Sequence, residues 1–365
     1  MDRRDLVSAT TGAGAAAILA APTIAQAQPR LNWRCSGSFP KSLDTLHGNQ
    51  EYICRRVSEL TDGQFQIRSF APGEIVPALQ VLDAAGSGTV EVGYTAPYYY
   101  VGKDPAMTFG TALPFGLNSR QMWSWLYHAG GRELLAPVWR EHGVHGITAG
   151  NTGAQMGGWF RREIRSVQDL QGLKFRIGGI GGQIFNKVGA VAQQLGGADI
   201  YPALERGVID GAEWVGPYDD EKLGFNRIAR FYYYPGWWEP GPTTEMMVNL
   251  RHWGELPPLY KAALEAACAE GYCHLAARYD ALNPPALRRL IANGAQLRPF
   301  PREVMSAFYR AAQELWEEIG ARNPRFRAVL EHFERYKADQ QPWFRVSEDS
   351  FAISMAHLTH TPTSR

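Results

Sequence analysis

After its first 27 residues the chain contains no apolar run long enough to span a bilayer. A helical membrane body is therefore not expected. Charge of one sign is also missing, with 37 basic residues against 36 acidic. No basic stripe interleaves with aromatics, so nucleic acid is not an expected partner. The motifs of common catalysts are absent: no G-x-x-x-x-G-K-[ST] phosphate loop, no H-E-x-x-H, no G-x-S-x-G elbow. No internal repeat or low-complexity tract is visible beyond the N-terminal segment. Cysteine is sparse. Cys268 and Cys273 are spaced to fall on different faces of one helix, while Cys35 and Cys54 fall on a strand and a helix that pack together. Both pairings stay open, and buried free thiols are the ordinary reading.

The 365 residues suffice for two domains or one large one. The N-terminus has the form of an export leader. Asp2-Arg3-Arg4-Asp5 opens it, Thr11 to Ala21 is a small-residue apolar run, and Ala25-Gln26-Ala27 is a cleavage signature. The arginine pair suggests the twin-arginine route. Residues 1–27 thus read as a signal peptide, and the mature chain as soluble and exported to the periplasm. Aromatics are plentiful, with 11 Trp and 16 Tyr; such side chains fill cores and line small-molecule clefts.

Hydrophobic periodicity predicts strand, helix, strand, helix, strand over Leu31–Ser38, Leu43–Leu60, Gln64–Phe70, Pro77–Ala85 and Thr89–Tyr94, the pattern of a parallel α/β sheet. Tyr98-Tyr99-Tyr100 begins an irregular aromatic loop. Helices at Ser119–His128 and Arg132–His142 follow, then strands at His145–Gly150 and Gln155–Arg161. A second sheet begins near Asn151. Leu173–Ile177 and Val208–Val215 read as its strands. Ala229–Tyr234 and Thr244–Leu250 read as strands returning to the first lobe. From Pro257 the pattern is helical, with separate helices at Leu259–Arg278, Asn283–Asn293, Arg302–Ile319 and Asn323–Asp339, interrupted by a strand at Ala295–Pro299. The plan is a two-lobed α/β fold with a central cleft, crossing strands and C-terminal helices. Residues 28–150, with a return at about 244–300, make lobe 1; residues 151–243 make lobe 2; residues 301–365 make a helical tail.

The most informative stretch is DIYPALERGVIDGAEWVGPYDD, Asp199 to Asp220. Glu213-Trp214 puts a carboxylate beside a large aromatic at the end of an apolar strand. An unpaired buried charge costs several kcal/mol, so Glu213 needs an arginine, another cation or a metal as partner.

These strings carry a resemblance. SFPKSLDT (Ser38–Thr45), FAPGEIVPALQ (Phe70–Gln80), YYYVGKDPA (Tyr98–Ala106), GNTGAQMGGWFRREI (Gly150–Ile164), LKFRIGG (Leu173–Gly179), the Asp199–Phe225 stretch and YYYPGWWEPGPT (Tyr232–Thr243) resemble the extracytoplasmic solute receptors of tripartite ATP-independent periplasmic (TRAP) transporters, above all those that bind 2-oxo acids such as pyruvate. The likeness runs to about Phe300, and the tail after Pro342 matches least. It implies a receptor and no enzyme, delivering a 2-oxo or 2-hydroxy monocarboxylate to membrane permease subunits. It also implies a homodimer built by exchanged C-terminal helices.

The resemblance assigns roles by position. Arg176 would grip the ligand carboxylate with its planar fork of donors. Gln155 (side-chain oxygen), Glu213 (carboxylate) and Trp214 (backbone carbonyl) would hold a metal cation, as oxygen donors suit a hard ion. Sodium is the implied ion, with calcium used by relatives that bind hydroxy acids. Tyr98, Tyr99, Tyr100, Asn151, Trp214 and Glu239 would surround the ligand. Taken alone, Arg176 reads as a surface residue, Glu213 as half of an arginine ion pair, and Trp237 and Trp238 as core. Gly178–Gly182 imitates a phosphate loop without its lysine, and no carboxylate is spaced in sequence with the H-x-x-H pairs at His142/His145 and His357/His360 as a zinc motif would have it. The rival reading is a secreted glycoside hydrolase or lyase with Glu213 and Glu239 as paired carboxylates.

Overall fold

Alternation sets the first strands. In Leu31–Gly37 the side chains of Trp33 and Cys35 are buried while Asn32 and Arg34 face water, and Phe65–Phe70 repeats the pattern with Phe65 and Ile67 inward. Val92–Thr95 and Thr243–Asn249 are buried at every position, as strands covered on both faces must be. The computed structural model describes residues 29–360. The leader expected at 1–27 lies outside the described residues.

Eleven strands follow in chain order: β1 (Leu31–Gly37), β2 (Phe65–Phe70), β3 (Val92–Thr95), β4 (Val144–Asn151), β5 (Trp159–Phe160), β6 (Lys174–Arg176), β7 (Val191–Gln193), β8 (Gly211–Ala212), β9 (Phe231–Tyr234), β10 (Thr243–Asn249) and β11 (Gln296–Pro299). They form two sheets, ordered β2-β1-β3-β10-β4 and β11-β9-β5-β8-β6-β7. The first three strands run parallel, as the periodicity predicts. β10 then enters antiparallel between β3 and β4, so the first sheet is mixed.

Two expected returns to the first sheet do not occur. β9 stays in the second sheet beside β5, and β11, placed with the first lobe by the sequence, pairs with β9 there. The cause is the connection between them. Pro258–Ala292 is one helix of 35 residues, about 50 Å at 1.5 Å per residue, long enough to carry the chain from one lobe to the other. Two helices were expected here, because Pro284-Pro285 should end the first. The helix runs through both prolines. It is held by packing against the Leu46–Leu60 helix, β4 and the Pro217–Leu223 helix. At Gly271 an added Cβ would lie 2.8 Å from the Ala149 carbonyl, so glycine permits this close contact.

Two expected strands are shorter than their apolar runs. Of Gln155–Arg161 only Trp159–Phe160 is strand, and of Val208–Val215 only Gly211–Ala212. Glu213-Trp214 therefore sits just past a strand end, where backbone groups are free to serve a site. β7 was not anticipated.

The C-terminal helices strap both lobes. Arg302–Arg322 lays Phe308 on Phe185 and Trp237, with ring centroids 4.8 and 4.4 Å away. Pro324–Phe344 packs Phe326 and Phe333 on Phe109 of the first lobe, and Arg325 bonds to Asp104 and Glu141. Beyond it a wider turn, Arg345–Asp349, leads into Ser350–His360. This end is longer than the predicted helix at Asn323–Asp339, and it leaves Trp343, Val346, Phe351 and Leu358 exposed.

Glu245 on β10 faces Thr148 on β4, whose hydroxyl donates to it at 2.8 Å. Burial pushes its carboxyl up from 4.5 to about 8. Between those values the native chain holds a proton that the unfolded chain has lost, so stability falls as pH rises through that window. We expect the Tm to decline from pH 5 to pH 8.5, and Glu245→Gln to remove a few kcal/mol of that decline. Identical pH slopes for native and variant chains in thermal unfolding would refute the assignment.

Candidate functional site

Two parallel strands end side by side to make the site. The register of β6 and β8 pairs Arg176 with Ala212, so the next residue, Glu213, lies against the guanidinium. Arg176 donates from Nε to the Leu195 carbonyl at 3.1 Å, and from Nη1 to the Glu213 backbone carbonyl at 2.9 Å and to Glu213 Oε1. The Gly178 N–H adds a bond to Oε1 at 3.0 Å. The Trp214 ring lies over the guanidinium, 4.9 Å from its centroid, a cation–π contact. Arg176 is 1% exposed and Glu213 fully buried. Burial opposes the Arg176 cation, yet the neighbouring Glu213 carboxylate outweighs it and holds the group above its ordinary pKa.

This pairing is incomplete. Arg176 Nη2 and Glu213 Oε2 are buried without a partner, as are Gln155 Oε1, both Glu239 carboxylate oxygens and the indole N–H of Trp214. A buried polar group left unmet costs about 1–3 kcal/mol, and native proteins hold few of them. Their concentration at one place makes this the candidate binding site. Gln155 is placed by one backbone and one side-chain bond: its N–H reaches the Glu239 carbonyl at 3.1 Å, and its amide Nε2 donates to Thr152 Oγ1 at 3.1 Å. Burial, then the neighbouring Glu213 charge, pushes the Glu239 carboxyl well above the usual carboxylate range, with the Tyr98 hydroxyl offsetting part of it.

Arg176, Glu213, Trp214, Gln155, Tyr98, Tyr99 and Glu239 converge. The Tyr99 hydroxyl faces Arg176, and Tyr98 and Tyr99 stack at 4.9 Å. Tyr100 and Asn151 stand apart from them. The Tyr100 hydroxyl is bonded to the Leu82 N–H and Thr95. The Asn151 amide bridges the Gly241 carbonyl and the Tyr272 hydroxyl, and its oxygen takes the Gly153 N–H. Both brace the walls, because no polar atom of theirs is left for a ligand. The aromatic loop is a 3-10 turn, Pro97–Tyr100. Trp237 and Trp238 are core: Trp237 stacks on Phe115 at 4.9 Å.

The sequence missed Phe39, which meets Trp214 edge-on at 6.4 Å, and Thr152, the hydroxyl behind Gln155. It also missed Gln194, whose amide joins the Tyr99 carbonyl to the Gly179 N–H at 2.9 and 3.0 Å. Phe39 and Thr152 stand inside the strings quoted above and were legible there. Gln194 had no signal.

The cleft is lined by Phe39, Tyr98, Tyr99, Thr152, Gln155 and Trp214, among others, and encloses about 20 Å³, room for about one water. Anything larger enters by parting of the lobes. The glycine run supplies the close fit: a Cβ on Gly179 would sit 2.2 Å from Tyr98 Cδ2, and its φ is +61°. Gly178–Gly182 is thus a packing surface for Tyr98. Among the described residues no cluster of three or more His, Cys, Asp or Glu is arranged for a metal. The candidate cation site uses a different set: one carboxylate, one amide oxygen and one backbone carbonyl. All four cysteines are free thiols.

The family model for bacterial extracellular solute-binding proteins, family 7, matches residues 36–323. A monocarboxylate 2-oxoacid-binding periplasmic protein of Nostoc sp. is 49% identical over 323 residues, 88% of each chain. A TRAP transporter solute-binding protein from Bordetella bronchiseptica RB50 is 49% identical, covers 91% of this chain and 99% of its own, and superposes with TM-score 0.90. Its crystals hold a mixed-occupancy dimer with copurified calcium and picolinate in one active site. A TRAP periplasmic solute-binding protein from Pseudoalteromonas atlantica T6c, with bound sodium and pyruvate, is 33% identical over 89% of this chain and 99% of its own, with TM-score 0.87.

Removing one member of a buried ion pair strands the other, at about 3–5 kcal/mol, whereas replacing both with apolar groups is often neutral. Arg176→Met alone is expected to destabilise the chain by that order in urea unfolding. Arg176→Met with Glu213→Leu should recover most of the loss. Equal losses in the single and double variants would show that the pair does not hold charge in the core.

Proposed function

This chain belongs to family 7 of the bacterial extracellular solute-binding proteins, and we propose that it captures a small 2-oxo monocarboxylate such as pyruvate together with a cation. It then delivers the acid to TRAP membrane permease subunits. The observation that carries this reading is the mixed set of orphan atoms: a guanidinium N–H that needs an anion, beside carboxylate and amide oxygens that need a cation. A plain anion would meet only Arg176. A bare cation would meet only Glu213 and Gln155. A 2-oxo or 2-hydroxy acid with a cation meets both, through two neighbouring oxygens.

In this reading Arg176 orients the ligand carboxylate. Gln155 Oε1, Glu213 Oε2 and the Trp214 carbonyl would hold the cation, which would supply positive charge to the oxygens of the acid. Tyr98 and Tyr99 bring hydroxyls, the Trp214 ring packs the apolar end, and Glu239 faces the oxo group. Charge favours sodium. Arg176 counts +1, Glu213 −1 and the acid −1, so one monovalent ion balances the site with Glu239, whose carboxyl burial pushes upward, counted as neutral. The named ligands of the relatives support the acid and a cation of either kind.

The family is one of receptors, and the rival carboxylate pair of a hydrolase or lyase finds no support. We further propose export through the leader at 1–27, a soluble periplasmic form and lobes at the sequence boundaries, amended by β11. No described helix is long and apolar enough to cross a membrane. The exposed Trp343, Val346, Phe351 and Leu358 are apolar surface that a second copy would cover, so we propose a homodimer through these C-terminal helices.

Calorimetry of the mature protein with pyruvate should show one site in sodium buffer, no turnover, and little heat in choline buffer with chelator. Arg176→Ala is expected to lose 2–5 kcal/mol of binding or more, and Glu213→Gln to lose its dependence on the cation. Normal pyruvate affinity for Glu213→Gln in cation-free buffer would sink the cation role. A chain ended before Pro342 should be a monomer in light scattering while still binding pyruvate; a persistent dimer would place the interface elsewhere.

A further inference from the structure

The first lobe holds a second and larger cavity, of about 490 Å³, with no part in the cleft. It lies between the Gly131–Glu141 helix, β4, β10 and the Leu250–Glu255 helix. β10 serves both cavities: Thr243 and Thr244 line the cleft, and the next residue, Glu245, lines this one. The size is that of an ordinary small-molecule site.

Its interior carries a buried carboxyl, which becomes a charged acceptor when an incoming cation displaces its proton to solvent. Glu245 is 2% exposed; one oxygen takes the Thr148 hydroxyl and the other has no partner. Beside it, His145 is stacked on Trp253 at 4.0 Å and 9°, with Nε2 also unmet. Burial, with Arg132, Lys261 and Arg140 adding to it, lowers this imidazole to about 4, so it stays neutral. Two cations lie on the helix wall. Arg132 pairs with Glu265 at 3.4 Å, and Arg140 is exposed. Trp139 and Trp253 make aromatic walls, and Glu133 is the remaining charge on the lining.

This polarity selects a ligand. A bare organic cation at Glu245 would share the cavity with two guanidinium groups on the helix wall. A bare acid at those arginines would leave Glu245 unmet. We infer that this cavity binds a small zwitterion, an α-amino acid with an apolar side chain, its ammonium on Glu245 and His145, its carboxylate on Arg132 and Arg140, and its side chain against Trp139. The site is independent of the cleft and of the acid proposed for it.

The test is calorimetry of the mature protein with the cleft saturated by pyruvate and sodium. The probes are L-leucine, 4-methylpentanoate, which lacks the ammonium, and isoamylamine, which lacks the carboxylate. L-leucine should bind one per chain, at least tenfold more tightly than either half-molecule. Glu245→Gln and Arg132→Gln should each weaken it at least tenfold while leaving pyruvate binding unchanged. The inference is overturned if L-leucine and the other common amino acids give no heat, if a half-molecule binds as well, or if both variants bind L-leucine as the native chain does. Leucine binding lost on adding pyruvate would place it in the cleft and also overturn it.

Discussion

The pairing of Arg176 with Glu213 constrains everything around it. Two charges taken out of water each cost several kcal/mol, and their attraction repays this only with good geometry and further hydrogen bonds. The chain supplies these from short strand ends. The Leu195 carbonyl, the Glu213 carbonyl and the Gly178 N–H are all backbone groups, so they cannot swing away. Parallel register between β6 and β8 sets the distance, and Trp214 closes the open face of the guanidinium. What backbone does not supply is a partner for the last donor and the last acceptor. That shortfall sits where the two lobes meet.

Closure then has to bring the other lobe up to a finished half-site. Tyr98 and Tyr99 come from the first lobe and meet the Gly178–Gly179 corner of the second, with Gln194 tying the two together. A further set of bonds joins the lobes beside the long helix. Thr45 donates to Asp219 at 2.6 Å, Tyr218 donates to Asp44 at 3.0 Å, and Arg278 of the long helix also reaches Asp44 at 2.6 Å. These bonds lie beside the long helix, which packs on both the Leu46–Leu60 and Pro217–Leu223 helices. The cleft side is joined by aromatic contact, by the Tyr99 hydroxyl facing Arg176 and by the Gln194 amide bridge.

Much of this was legible in the sequence. The alternation in Leu31–Gly37 and Phe65–Phe70 gave the opening strands, and Glu213 announced itself as a charge needing a partner. Of its two readings, the arginine pair occupies one oxygen, and the other oxygen is left for the proposed cation. The failures have physical causes. Pro284-Pro285 misled because tertiary packing overrode local helix propensity. β11 was misplaced because nothing local reveals that a helix will carry the chain across a cleft. Tyr100 and Asn151 have the right chemistry for a ligand shell, but their hydrogen bonds are spent on Leu82, Thr95, Gly241 and Tyr272. Side-chain direction within a turn is not written in a residue's type. Gln194 acts through a strand that has only three residues and no pattern.

The Asp199–Asp220 stretch contains three buried carboxylates, and their environments separate structure from function. Asp220 accepts from the Trp159 indole at 2.9 Å, the Tyr232 hydroxyl at 2.7 Å and the Val215 N–H at 3.4 Å, and burial lifts it to about 7. Asp219 accepts from Thr45 and from Tyr279, one donor to each oxygen, and is lifted to about 6. Both are closed networks in which neither oxygen is left over. Such groups specify packing and have no capacity for a guest. Glu213 is at least as deeply buried, pairs with a full positive charge, and still keeps one oxygen free. Burial alone therefore does not identify a site, and neither does a shifted pKa, since the two aspartates show both. What distinguishes Glu213 is unused bonding capacity beside the unused capacity of Arg176 and Gln155. Two opposite deficits at one point are what the proposed guest, an acid with its cation, would meet.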